Sequence, residues 1–213
     1  MSKQYWTKAH ASYSQVDWIK KPSHFAKFAI QYFPKDGKIL DLGAGQGQDS
    51  RFFAKSGYQV TSTDYEKLAL GVNESNITPE LKDKVVVKEV DLSEKLPFYN
   101  QEFDVIYAHL SLHYFNLATT RKIFEEIRRI LKINGIFAFL VNSTSDPEIS
   151  EGKMIEKDYY DYDTILRRYF SPESAKELIQ EYETIVLDAK GETYKDDKKG
   201  VHNLIRYIGK RIS

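Results

Sequence analysis

KILDLGAGQGQDS, residues 38–50, decides how the rest of this chain is read. Ile39, Leu40 and Leu42 form a short apolar run that suits a buried strand, and Asp41 interrupts it with an acid. Gly43, Gly45 and Gly47, with Ala44 between the first two, let the chain turn tightly and bring backbone N–H groups up to a flat or anionic ligand. Polar residues then open a helix. A dinucleotide-binding turn wants glycines at relative positions one, three and six, and the sixth position here is Gln48. Asp41 stands two residues before the first glycine, where it meets a cationic group better than a pyrophosphate.

Strand and helix patterns alternate on both sides of this turn. Residues 22–33, PSHFAKFAIQYF, carry Phe25, Phe28, Ala29 and Tyr32 at helical spacing, with Pro22 at the helix start. The first strand is expected over 37–42, a helix over 49–56 stopped by Gly57, and a second strand from 58 to 63 ending at Asp64. A short helix at 68–73 and a β-branched strand at 84–90, ending at Asp91, come next. A strand at 103–109 and an amphipathic helix at 119–131 follow, and Asn134-Gly135 turns the chain into a strand at 136–141. Such alternation predicts a parallel, doubly wound α/β sheet with right-handed crossovers. Residues 144–170 differ: they are acidic and tyrosine-rich, with DYYDYD at 158–163, and suggest an insertion over the sheet edge. Beyond them, a helix over 171–181 is capped by Ser171 with Pro172 at its first position. Strands over 182–193 and 201–212 close the pattern, and the Lys195–Lys199 run between them suggests an exposed hairpin tip.

At 213 residues, with 41% hydrophobic and 14% aromatic residues, the chain suits one folded domain over 1–213. Lys+Arg and Asp+Glu balance at 31 each, which gives no global pull toward nucleic acid or an anionic membrane. No apolar run approaches the roughly 20 residues that span a bilayer. The start, MSKQYWTKAHASYSQ, lacks the apolar core of a signal peptide, so a cytoplasmic location is expected. Having 0 cysteines, the chain has no disulfide, thiolate ligand or cysteine nucleophile. His10, His24, His109, His113 and His202 show no zinc-type paired spacing, and no metal is expected.

Asp64 follows the glycine turn by about twenty residues, where an acid can accept hydrogen bonds from ribose hydroxyls. Together with Asp41 and Asp91 it closes three consecutive strands on one crevice. This set resembles the class I S-adenosylmethionine-dependent methyltransferases, with specific motifs over residues 37–143 and a looser match to both ends. Within that family, LDLGAGQGQDS followed by GYQVTSTD looks most like the tellurite-resistance-type and general small-molecule branch. The resemblance implies a Rossmann-like seven-stranded sheet, order 3-2-1-4-5-7-6 with strand 7 antiparallel and helices on both faces. It implies S-adenosylmethionine as cofactor, with Asp41 holding the methionine ammonium directly or through water. Gly43, Ala44, Gly45 and Gly47 would pass under the ligand, and Asp64 would take the ribose. Tyr65 would lie along the adenine, Asp91 would meet its exocyclic amine, the Leu92 N–H a ring nitrogen, and Ala108 the cofactor.

The segment FDVIYAHLSLHYF at 103–115 speaks to the acceptor largely by what it lacks. It has no Asn/Asp/Ser-Pro-Pro-aromatic element of amino-directed nucleic-acid methyltransferases, and Ala108-His109 replaces the metal-binding Asp of metal-dependent O-methyltransferases. Cytosine-carbon methyltransferases need a cysteine. A small-molecule acceptor is therefore expected, with no nucleic-acid or membrane partner; the oligomeric state stays open. His113 falls where small-molecule members carry a histidine beside the methyl group, to deprotonate or orient a nucleophile. The other reading is a loop or helix-capping histidine. Residues 1–33, with Tyr5, Trp6, Tyr13 and Trp18, are expected to fold over the cofactor, each aromatic otherwise simply packing, and 144–170 to lie near the substrate or to form a solvated surface loop. A non-catalytic binder of S-adenosylmethionine would show the same motifs. An NAD(P)-dependent oxidoreductase is opposed by Gln48 and Asp41.

Overall fold

Lys38–Leu42 forms strand β1, and its alternating side chains feed two opposite faces of a sheet. Ile39 joins one apolar cluster, while Leu40 and Leu42 join the other. The computed structural model describes residues 5–7, 10–11, 17–193 and 203–213. Within these, β2 (Gln59–Asp64), β3 (Val85–Glu89), β4 (Phe103–His109) and β5 (Leu131–Val141) run parallel to β1. A short antiparallel sheet follows, made of β6 (Lys153–Glu156), β7 (Tyr159–Tyr162) and β8 (Ile165–Arg168). Finally β9 (Tyr182–Gly191) and β10 (Leu204–Arg211) return to the main sheet, whose order is β3-β2-β1-β4-β5-β10-β9. Counting only main-sheet strands, that is the expected 3-2-1-4-5-7-6, with β10 antiparallel to both neighbours.

The helices are α1 (His24–Ala29), α2 (Gln48–Lys55), α3 (Lys67–Ser75), α4 (Leu117–Ile130) and α5 (Pro172–Lys176). Helix α4 lays Ile123, Phe124, Ile127 and Ile130 on Leu40, Ile106, Phe137 and Phe139. On the opposite face, Phe25 and Ala29 of α1 and Phe53 of α2 meet Ile39, Val105 and Ala138. Each such large side chain contributes roughly 1.5–3 kcal/mol when removed from water.

Several elements differ from the sequence pattern for local reasons. Pro22 precedes the helix cap: Ser23 is the N-cap of α1, its hydroxyl accepting from Ala26 N at 2.9 Å. Residues 171–181 form only the short α5, closed by a capping box between Ser171 and Ser174. Asn134, at φ 65°, sits inside β5 as an irregularity, so the strand starts at Leu131. Residues 144–170, expected as an insertion, contain the three-stranded sheet. Asp163 and Thr164, at φ 51° and 63°, form its two-residue β7–β8 hairpin turn. The expected Lys195–Lys199 hairpin tip, Val201 and Tyr13 lie outside the described residues, as does the Trp18 side chain. Among the described residues no helix is long and apolar enough to cross a membrane.

Candidate functional site

All three glycines of the opening turn have left-handed backbone, with φ of 69° at Gly43, 55° at Gly45 and 72° at Gly47. Each also gives room to a neighbour. A Cβ on Gly43 would stand 2.4 Å from Ser111 Cβ, and one on Gly47 would stand 1.8 Å from Asn73 Oδ1. At Gly45 the neighbour is His10, whose Cε1 would lie 3.1 Å from the added carbon. The turn is fastened to β2: Ala44 N donates to Thr63 O at 2.7 Å, and Gly45 N to Asp64 Oδ2 at 2.9 Å.

Asp41 and Asp64 are buried; Asp91 is exposed. Asp41 Oδ2 accepts from Ser50 Oγ at 2.6 Å; Ser50 Oγ lies 2.7 Å from Ser62 Oγ, which accepts from Asn73 Nδ2 at 2.8 Å. Burial, reinforced by Asp49, pushes the Asp41 carboxyl from 3.8 up to about 8. The folded protein therefore binds a proton there that the unfolded chain releases. The stability this supplies is whole below about pH 4 and is lost as pH rises toward about 8. Asp41→Asn is expected to flatten the fall in urea-unfolding stability between those pH values. A fall as steep as the parent's would show that Asp41 is not its source.

Asp64 Oδ1 accepts from Glu66 N at 2.9 Å, so its two oxygens tie the glycine turn to the start of α3. Burial raises its pKa, and its backbone hydrogen bonds and His10 oppose that. The Tyr65 hydroxyl is enclosed and has no hydrogen-bond partner among the described residues. Asp91 lies just beyond β3; both hydrogen bonds its carboxylate accepts among the described residues, from Ser93 N at 2.9 Å and Ser93 Oγ at 2.7 Å, fall on Oδ1. Leu92 turns its side chain into the core.

Strand β4 leaves the sheet through a strained corner. Ala108 is fully buried against the α4 side of the core, so its backbone is what it offers at the strand end. His109 Nε2 lies 3.5 Å from Thr193 Oγ1, and burial lowers the pKa of its ring. Leu110 then adopts φ 57°, uncommon for a large side chain, and donates its N–H to Leu140 O at 2.9 Å. That kink sends Ser111 against Gly43, where its hydroxyl donates to Leu42 O at 2.5 Å. His113 is buried, its ring 4.3 Å from that of Tyr114, and its carbonyl accepts from Arg168 N at 2.7 Å.

The described part of the N-terminal segment crosses this mouth. Trp6 packs edge-on to Tyr114 at 5.0 Å and lies 5.8 Å from His10. The His10 carbonyl accepts from Gln46 Nε2 at 2.8 Å, and Thr7 Oγ1 donates to Glu66 Oε1 at 3.2 Å.

Sequence reasoning missed His10, Leu110 and above all Asp49. The buried Asp49 carboxylate accepts from Ser23 N, Ser23 Oγ and Tyr107 OH, each at 2.7 Å. It thereby joins the cap of α1 to the first turn of α2 and to β4. Its position in the polar run after the glycines was the available signal, but its partners are distant in sequence.

The cradle suits a nucleoside with a cationic amino-acid tail: three left-handed glycines make a tight, partly buried turn, buried acids end β1 and β2, and the Tyr65 hydroxyl has no hydrogen-bond partner among the described residues. Residues 40–139 match a family model described as a methyltransferase domain. A sarcosine/dimethylglycine N-methyltransferase of Aphanothece halophytica is 37% identical over 115 residues, covering 52% of this chain and 39% of that protein. This chain spans about half or less of the length of the first curated relatives it matches. Among solved structures, an S-adenosylmethionine-dependent methyltransferase from Methanosarcina mazei superposes with a TM-score of 0.74 at 19% identity, covering 87% of this chain and 97% of that one. The Burkholderia thailandensis 1,6-didemethyltoxoflavin-N1-methyltransferase, solved with its acceptor and S-adenosylhomocysteine, gives 0.73 at 17% identity over 99% of this chain and 85% of that one. These two likenesses concern the fold.

Proposed function

We propose that the chain is a class I methyltransferase that transfers a methyl group from S-adenosylmethionine to a small-molecule acceptor, a reading supported by its fold and by the methyltransferase-domain match over residues 40–139. The observation that carries this reading is the left-handed glycine turn pinned to Asp64 through Gly45 N. S-adenosylmethionine is the cofactor, and it supplies an already activated methyl on a sulfonium. The chain's own residues then have to bind, orient and exclude water. Asp64 and Asp91 take the ribose and adenine ends, Tyr65 lies along the base, and Asp41 faces the ammonium end from beneath the turn. Trp6 and Tyr114 close the mouth over them. His113 stands on the acceptor side, where an imidazole can take the acceptor's proton.

The acceptor is small in this reading because 103–115 lacks the nucleic-acid-directed motif and because relatives of similar sequence or fold are named for small acceptors. Calorimetry with S-adenosylmethionine, S-adenosylhomocysteine and NAD tests the cofactor site; NAD binding without S-adenosylmethionine binding would sink the proposal. A methyl-release screen over phenols, amines, thiols, carboxylates and structured RNA tests the acceptor. Silence across that screen despite tight cofactor binding would favour a non-catalytic binder.

Asp64→Asn is expected to weaken S-adenosylhomocysteine about 10- to 100-fold, since hydrogen bonds to a charged group contribute roughly 1.5–3 kcal/mol. Unchanged affinity in a folded variant would remove Asp64 from the ribose site. His113→Gln is expected to lower kcat by roughly 10²- to 10⁴-fold at unchanged S-adenosylhomocysteine affinity. Retention of kcat would leave His113 a packing residue.

A further inference from the structure

Helix α2 carries Ser50 and Arg51 side by side, and the two diverge by about 100° around its axis. Ser50 faces the sheet, where its hydroxyl donates to Asp41 Oδ2 at 2.6 Å. Arg51 reaches back to the glycine turn, and its Nη1 donates to Gln46 O at 2.6 Å. Gln46 sits between Gly45 and Gly47, is buried, and holds the His10 carbonyl through its own amide at 2.8 Å. The guanidinium is half-buried, and among the described residues no carboxylate pairs with it. Arg128, Arg129, Arg167, Arg168 and Arg206 each have such a partner. The acid of the same helix turn, Asp49, is taken up by Ser23 and Tyr107. Burial lowers the Arg51 pKa, and Asp49 opposes that. A charge partly withdrawn from water with no anion beside it is unfavourable, and a ligand that brings the anion relieves it.

The glycine turn therefore runs between an acid and a base. Asp41 stands two residues before Gly43, and among the described residues its Oδ1 accepts no hydrogen bond. Arg51 stands four residues after Gly47, with Nη1 on the backbone of the turn itself. An α-amino acid head carries an ammonium and a carboxylate on one carbon, which complements that pair. We infer that Arg51 recognises the carboxylate of the S-adenosylmethionine tail, opposite Asp41 at the ammonium, so that the chain selects a zwitterionic tail; this rests on the methyl-transfer reading above. With Nη1 fixed on Gln46 O, Nε and Nη2 form the remaining edge of the guanidinium fork, which suits a carboxylate in two parallel bonds. A lysine there would keep the attraction and lose the fork.

The test is calorimetry on the full chain with three ligands. These are S-adenosylmethionine, its decarboxylated form, which lacks only the carboxylate, and 5′-methylthioadenosine, which lacks the amino-acid head. The parent is expected to bind S-adenosylmethionine about ten-fold or more tightly than the decarboxylated form. Arg51→Met should remove that preference and Arg51→Lys keep part of it, while both variants hold 5′-methylthioadenosine within about two-fold of the parent. Should Arg51→Met not fold, Arg51→Lys decides by the same readout. No preference in the parent, a full preference in either variant, or an equal loss for all three ligands would overturn the inference; the last would leave Arg51 a prop of the turn. Failure of the parent to bind S-adenosylmethionine would instead bring down the methyl-transfer reading beneath it.

Discussion

Gly43→Ala and Gly47→Ala are each expected to abolish measurable cofactor binding while leaving a destabilised but folded protein. A non-glycine residue in left-handed backbone costs roughly 1–2 kcal/mol, and forcing a carbon into filled space costs roughly 1–3 kcal/mol more. Both terms apply at both positions, for a total of about 2–5 kcal/mol. At Gly43 the obstacle is the Ser111 side chain, fixed by its bond to Leu42 O; at Gly47 it is the Asn73 carboxamide, held by Ser62. Relief in either case must come from the turn itself, which carries Ala44 N and Gly45 N away from β2. Double variants give a check on cause. Gly43→Ala combined with Ser111→Gly should recover part of the lost stability, and Gly47→Ala combined with Asn73→Gly should do the same. Recovery in neither pair would show that crowding is not the origin of the loss.

Asp49→Ala is expected to lower stability by about 3–5 kcal/mol, since each buried donor left without an acceptor costs roughly 1–3 kcal/mol. Three donors lose their acceptor, although Ser23 Oγ and Tyr107 OH, 3.1 Å apart, can still bond to one another. For a domain of this size the midpoint of thermal unfolding should fall by roughly 10 °C. Asp49→Asn, which keeps an acceptor, should lose about half as much. Tyr107→Phe should cost only about 1 kcal/mol, because Asp49 retains Ser23. A loss in Asp49→Ala no larger than in Tyr107→Phe would contradict a shared network.

What was legible in the sequence was what local chemistry dictates. The glycine turn, the strand-closing acids and the apolar stripes of α4 are written in adjacent or periodically spaced residues, and the sheet order followed from the family resemblance they carry. Asp49 was illegible because its partners lie 26 and 58 residues away, and nothing in DSRF separates a buried staple from a solvated helix start. His10 failed for the same reason: it reaches Gly45 only once the N-terminal segment is laid across the turn. Arg167 and Arg168 show a different limit. The two are adjacent and identical in type, and only the strand geometry of 165–168, hidden in an acidic and tyrosine-rich stretch, sends Arg168 to the loop carbonyls and Glu156 and Arg167 to Glu148. At Ala108 the family resemblance implied a cofactor contact; the fold turns its methyl into the core and leaves its backbone at the strand end.

The place of β10 has a kinetic consequence. It follows β9 along the chain yet lies between β5 and β9, with antiparallel hydrogen bonds to both. During synthesis β9 is therefore made before the strand that must separate it from β5, and any early pairing of those two would have to be undone. The far half of the sheet can lock only once β10 has been made, after every strand of the nucleoside half is already in hand.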